Sequence, residues 1–111
     1  MSRSKRKPNQ EEIDAARRDP RLREALTAAR DDSEWRLRGE CLSADPETFF
    51  PEPQAQQSPA EALALCSNCP VQARCLAWAL DAGDRNGVWG GTTPRERRAM
   101  ILAWKDAVRA A

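Results

Sequence analysis

Four cysteines, Cys41, Cys66, Cys69 and Cys75, in a chain of 111 residues with no histidine, constrain this protein more than any other feature. Three sulfurs fall within ten residues as Cys66-x2-Cys69-x5-Cys75, and the fourth lies upstream with 24 residues between it and Cys66. The length allows one small domain. The apolar run Cys75-Leu76-Ala77-Trp78-Ala79-Leu80 is far short of the roughly 20 residues that a membrane span needs. The basic start, Met1-Ser2-Arg3-Ser4-Lys5-Arg6-Lys7-Pro8, lacks the apolar core of an export signal. The expectation is a cytoplasmic protein without a membrane partner. Stable disulfides are rare in that compartment, which makes metal ligation or redox work the leading use of the thiols. The missing histidine removes imidazole acid–base catalysis, Ser–His and Cys–His nucleophile pairs and zinc–histidine sites. Most hydrolase and transferase templates are thereby removed.

The spacing discriminates between metals. A structural zinc site more usually shows two Cys-x-x-Cys knuckles, and here there is one. Iron–sulfur clusters are commonly held by four cysteines at uneven spacings with one remote ligand. A cubane core is larger than a single ion, and the x5 gap supplies the wider reach. The expectation is one [4Fe–4S] cluster per chain, with a structural zinc module as the alternative. A thiol–disulfide oxidoreductase built on Cys66-Ser67-Asn68-Cys69 is a further alternative; it lacks a βαβ context and leaves Cys41 and Cys75 unexplained. Cys69 immediately precedes Pro70, at a helix start whose orphan N–H groups favour negative charge, and Arg74 offsets part of a cluster's charge. A domain this small gains only about 3–5 kcal/mol from its core, so a group joining three segments supplies constraint that packing lacks.

Charge divides the chain into three parts. Residues 1–40 carry 11 basic and 9 acidic side chains, residues 41–91 carry 2 and 6, and residues 92–111 carry 5 and 2. With a net charge of +1 overall, binding through bulk positive charge is excluded. The expected division is an N-terminal extension over 1–34, a cysteine-bearing region with a glycine-rich turn over 35–91, and a basic amphipathic helix over 92–111. The first eight residues read as disordered. Asn9-Gln10-Glu11-Glu12 is a capping box, and Asp19-Pro20 starts a second helix with Leu22, Ala25, Leu26 and Ala29 on one face. That face is thin and alanine-rich, which predicts a solvated helical extension with little core of its own.

Further along, residues 45–50 read as one helical turn and residues 51–58 as a Pro/Gln-rich loop. Ser58-Pro59-Ala60-Glu61 is a capping box that opens a helix running to Cys66. Pro70 restarts a helix from Val71 to Ala82, which Gly83 terminates in the left-handed conformation. Residues 84–87 and Gly87-Val88-Trp89-Gly90-Gly91 form turns. Thr93-Pro94-Arg95-Glu96 caps a last helix to about Arg109. Nothing reads as a sheet, and the fold class is all-α, short helices organised around the cysteines. On the last helix, Met100, Ile101, Trp104, Ala107 and Val108 share one face, and Arg95, Arg98, Lys105 and Arg109 a neighbouring stripe. Arg97 and Leu102 fall outside this division. The locally basic tail makes Arg95, Arg97, Arg98, Lys105 and Arg109 candidate contacts to the phosphate backbone of DNA.

Cys41 with Asp45-Pro46-Glu47-Thr48-Phe49-Phe50, Cys66-Ser67-Asn68-Cys69-Pro70-Val71, Cys75-Leu76-Ala77-Trp78-Ala79-Leu80 and Gly87-Val88-Trp89-Gly90-Gly91 together closely resemble the WhiB-like proteins. The resemblance covers about residues 35–100, and residues 1–34 fall outside it. It implies an actinobacterial or actinobacteriophage transcription regulator, not an enzyme. It further implies a [4Fe–4S] cluster sensitive to oxygen and nitric oxide, with Cys41, Cys66, Cys69 and Cys75 as ligands. Members of the family bind the C-terminal domain of the primary sigma factor of RNA polymerase. The resemblance places Trp35, Phe49, Phe50 and Trp89 in that contact, with Gly87, Gly90 and Gly91 shaping the turn that presents Trp89. The chain ends without an Arg-Gly-Arg tail, so binding to promoter DNA is expected to be weak alone and to occur as a monomer in complex with sigma.

Overall fold

The computed structural model describes residues 7–28, 35, 39, 48, 59–83 and 86–110. Five helices follow in order: α1 (Gln10–Arg17), α2 (Pro20–Thr27), α3 (Ala60–Ser67), α4 (Gln72–Ala82) and α5 (Pro94–Ala110). The fold is all-α, and among the described residues the β pairing is an isolated bridge between Trp89 and Thr92. Cys41, the turn expected at 45–50 apart from Thr48, the loop at 51–58, Ala29, Asp84 and Arg85 lie outside the described residues. So does the start expected to be disordered, apart from Lys7 and Pro8. No helix among the described residues is long and apolar enough to cross a membrane.

The helix ends follow local chemistry. Asn9 Oδ1 accepts from the Glu12 backbone N–H at 2.8 Å while Glu12 Oε1 accepts from that of Asn9 at 3.4 Å, closing the expected box. Asp19 caps α2 through the Arg21 N–H at 2.9 Å, with Pro20 in the first turn where its missing donor is not needed. Gly83 ends α4 at φ 67° and ψ 30°, its N–H turned back on the last carbonyls. Thr93 and Glu96 form a second reciprocal box at the start of α5, at 3.0 and 3.3 Å. The start of α3 differs from expectation. The helix begins at Ala60 with Pro59 at the cap and no side-chain cap bond, and Ser58 lies outside the described residues.

The main core is assembled from both ends of the chain. Leu76, Ala77 and Leu80 of α4 meet Ala99, Met100, Ile101, Ala103 and Trp104 of α5, and Trp104 Nε1 donates to Asp81 Oδ1 at 2.7 Å. Ala16 of α1 and Leu22 and Ala25 of α2 are buried in the same cluster, with α1 against α5 and α2 against α4. The solvated extension expected of the N-terminal helices is therefore corrected. Alanines at 16, 25, 77, 99 and 103 let the backbones approach closely enough for Leu22 to reach the core, so a thin apolar face still buries well. A smaller cluster joins Ala62 and Cys66 of α3 to Val88 of the glycine-rich turn, with Leu63 and Leu65 packed against it. On α5, Met100, Ile101 and Trp104 are buried as the periodicity predicts, whereas Val108 is exposed in the last turn.

Candidate functional site

Cys66 closes α3, Cys69 stands in the elbow between α3 and α4, and Cys75 lies in the first turn of α4. The Cys69 N–H donates to Cys66 O at 3.0 Å, and the Cys75 N–H to Val71 O at 2.8 Å. Backbone bonds thus set both spacings. Cys66 is buried, and Cys69 and Cys75 are half-buried. Trp35 brings the upstream segment to this elbow. Its ring is 6% exposed, and the guanidinium of Arg74, next to Cys75, lies 5.5 Å from the ring centroid. Cys41 follows Trp35 by six positions in the sequence, a reach of at most about 20 Å at full extension. The burial of Trp35 departs from its expected role as a partner contact, because the ring packs inward on α4.

The elbow's three described donors, Cys66, Cys69 and Cys75, are soft sulfurs, a donor type that suits an iron–sulfur group. Among the described residues no three His, Cys, Asp or Glu side chains converge as they would around a single metal ion. Cys41, Phe49 and Phe50 lie outside the described residues.

The glycine-rich turn sits directly on α4. Trp89 and Thr92 exchange backbone bonds at 3.2 and 3.0 Å, and Thr92 Oγ1 donates to Trp89 O at 2.6 Å. Between them Gly90 and Gly91 have φ of 56° and 76°, the left-handed values of a mirror-image tight turn. Gly90 is required for a second reason: a Cβ there would stand 2.5 Å from that of Leu76, one residue beyond Cys75. The Trp89 ring stacks on Trp78 of α4 at 4.9 Å and 36°, its Nε1 donates to Asn86 O at 3.0 Å, and it remains half-exposed. Trp78 was not among the expected site residues. The signal was its position one helical turn after Cys75, on the side of α4 that the turn covers.

Arg97 is the largest departure from the sequence-based expectations. Its side chain is 0% exposed, with Nη1 donating to Thr92 O and Oγ1 at 2.9 and 3.0 Å, and Nη2 to Asn86 O and Gly87 O at 2.9 and 2.6 Å. It clamps the turn from inside and does not face solvent, which excludes it as a phosphate contact. A cation in the first turn of α5 sits at the positive end of the helix dipole, and the carbonyl oxygens offset that cost. The misfit of Arg97 with the amphipathic division was the available signal. Arg95, Lys105 and Arg109 are exposed and Arg98 half-buried, along one side of α5.

Arg21 of α2 holds the turn from the other side. Its Nη1 donates to Gly91 O at 2.8 Å, Nη2 to Glu96 Oε2 and Asp19 Oδ2, both at 2.8 Å, and Nε to Asp19 Oδ1 at 3.1 Å. The hydrogen bond from Arg21 holds the Asp19 carboxyl below its ordinary range. For Glu96, partial burial pushes upward, but Arg21 and the Thr93 N–H together outweigh it and the net shift is down. Both carboxylates are more acidic folded than unfolded, so their contribution is complete above the unfolded values of 3.8 and 4.5 and is lost as pH falls below them. Partial exposure limits the effect to about 1 kcal/mol or less. Acid titration followed by tryptophan fluorescence should show Glu96→Gln with a shallower loss of stability between about pH 5 and 3 than the wild type. Parallel curves would mean that the Glu96 carboxylate adds nothing.

Comparison with known proteins adds to this geometry. The family description Transcription factor WhiB matches residues 35–100. The chain is 44% identical over 70 residues to the transcriptional regulator WhiB1 of Mycobacterium tuberculosis, covering 60% of this chain and 83% of that protein. It is 44% identical over 69 residues to the transcriptional regulator WhiB of Streptomyces coelicolor, covering 62% and 77%. It is 43% identical over 67 residues to the transcriptional regulator WhiB2 of Mycobacterium tuberculosis, covering 60% and 73%.

Proposed function

We propose, on the premise that this chain belongs to the WhiB family of transcription factors, that it is a cluster-dependent regulator, not an enzyme, that docks on the C-terminal domain of the primary sigma factor. The observation that carries the reading is the construction of the glycine-rich turn. A half-exposed Trp89 is stacked on Trp78, and its turn is pressed against α4 one residue beyond Cys75. A rigid, partly exposed tryptophan is a good interface anchor, giving large contact area at little entropic cost.

In this reading Cys41, Cys66, Cys69 and Cys75 hold a [4Fe–4S] cluster, one per chain. When bound, that group supplies a redox- and nitric-oxide-reactive link between the α3–α4 elbow and the upstream segment. The elbow carries Cys69 and Cys75 half-buried, and Cys75 adjoins the residue against which Gly90 lies. Any change in the ligation of Cys75 is therefore next to the turn that presents Trp89. Phe49 and Phe50 complete the docking surface, and Arg95, Arg98, Lys105 and Arg109 supply local contacts to promoter DNA once sigma has positioned α5. Four basic side chains neutralise too few phosphates for tight binding alone.

The test is anaerobic co-purification with the sigma domain, recording visible absorption on the complex. Wild type should copurify coloured, and Trp89→Ala should keep the colour while losing the complex by about tenfold or more in affinity. Normal binding by Trp89→Ala would remove the docking role of the turn. A colourless wild type with one zinc per chain and no sulfide would replace the cluster by a structural zinc site.

A further inference from the structure

The carbonyls of the glycine-rich turn are pinned from two sides. Arg97 of α5 holds Asn86 O, Gly87 O and Thr92 O from the interior, and Arg21 of α2 holds Gly91 O from the outer edge. Glycines at 87, 90 and 91, all at positive φ, give the segment backbone freedom that its own sequence does not restrict. A tryptophan on an unrestrained glycine turn loses conformational entropy whenever a partner captures it. External clamps reduce that loss before the partner arrives.

Arg21 belongs to a helix outside the family-matched residues 35–100. Asp19 grips its Nε and Nη2 and aims Nη1 at Gly91 O, and Glu96 tethers the same guanidinium to the first turn of α5. Behind it, Leu22 and Ala25 seat α2 on α4 through separate, buried contacts. We infer that the N-terminal helix pair is an intramolecular strut for the docking turn, with Arg21 as the positioning residue that holds Trp89 in its binding-ready arrangement. The pair thereby sets the affinity of this protein for its partner. The inference rests on the reading of Trp89 as the partner anchor and deepens it.

The experiment uses full-length, anaerobically purified protein. It reads affinity for the sigma C-terminal domain, thermal stability, and amide exchange at Trp89 and Thr92, the two N–H groups of the bridge. Arg21→Ala should speed exchange at both amides and weaken binding about tenfold, the scale of one lost charge-assisted hydrogen bond. Arg21→Lys should recover part of both, since an ammonium meets fewer of these acceptors at once. Leu22→Ala opens a cavity in the main core without touching the turn, and should lower stability more while leaving affinity within about twofold when assayed well below its melting range. Asp19→Asn, which keeps a good helix cap but loosens the aim of Arg21, should reproduce the exchange effect even if Arg21→Ala does not fold.

Wild-type affinity in Arg21→Ala, with Trp89→Ala deficient, overturns the strut. So does a loss in Leu22→Ala as large as that in Arg21→Ala, because affinity would then track stability alone. If Trp89→Ala also binds normally, the docking reading has failed, and unchanged exchange in Arg21→Ala then removes the brace as well.

Discussion

Replacing Cys69 by serine is expected to yield protein without iron or acid-labile sulfide after anaerobic purification, and without the visible absorption of the wild type. Cys69 is the most informative of the described cysteines to change. Its side chain is half-buried, and its backbone already holds the elbow, donating to Cys66 O and accepting from the Gln72 N–H at 3.2 Å. Serine preserves that backbone and removes only the soft donor, so a loss reads ligation and not local collapse. Cys66 is less clean: it is buried with Ala62 and Val88, where a hydroxyl carries its own desolvation cost of about 1–3 kcal/mol. Because the group is proposed to tie the elbow to the upstream segment, Cys69→Ser should also lose helical circular dichroism and the sigma complex. A serine variant with wild-type iron and sulfide content would mean that Cys69 is not a ligand.

The second large effect is expected at Arg97. Truncation to alanine removes the donor of the buried Gly87 O, takes one of two donors from each of Asn86 O and Thr92 O, which keep the Trp89 indole and backbone N–H respectively, and opens a void behind the turn. The one buried acceptor left unmet costs about 1–3 kcal/mol and the void adds to it, so a total of roughly 3 kcal/mol is expected. That is a large share of a small domain's stability, which is about 5–15 kcal/mol. Thermal unfolding should shift down accordingly, and the complex with sigma should weaken through disorder around Trp89. Arg95→Ala and Lys105→Ala, both exposed on the same helix, should change stability by about 0.5 kcal/mol or less. Equal stability of Arg97→Ala and Arg95→Ala would contradict the clamp.

These two residues mark how far the sequence was legible. The cysteine spacing, the missing histidine and the Gly-Val-Trp-Gly-Gly turn identified the family and the candidate ligands, since ligand chemistry depends on residue type and local spacing. Capping pairs Asn9/Glu12 and Thr93/Glu96 and the stop at Gly83 were legible for the same reason: each is a bond closed within about four residues. The start of α3 was less so, with Pro59 at its cap.

What the sequence by itself determined is local: helices, caps, the elbow that carries Cys66, Cys69 and Cys75, and the positive-φ glycines that make the turn. Tertiary structure alone decided the rest. It seated α1 and α2 on the core, packed Trp35 against Arg74, turned Arg97 inward and placed Arg21 on Gly91 O. An arginine reads as surface until the carbonyls it satisfies are brought to it from 70 residues away, as they are for Arg21, or by a folded turn, as they are for Arg97. Burial of a charge depends on the whole set of partners present in space, and no window along the chain contains that set.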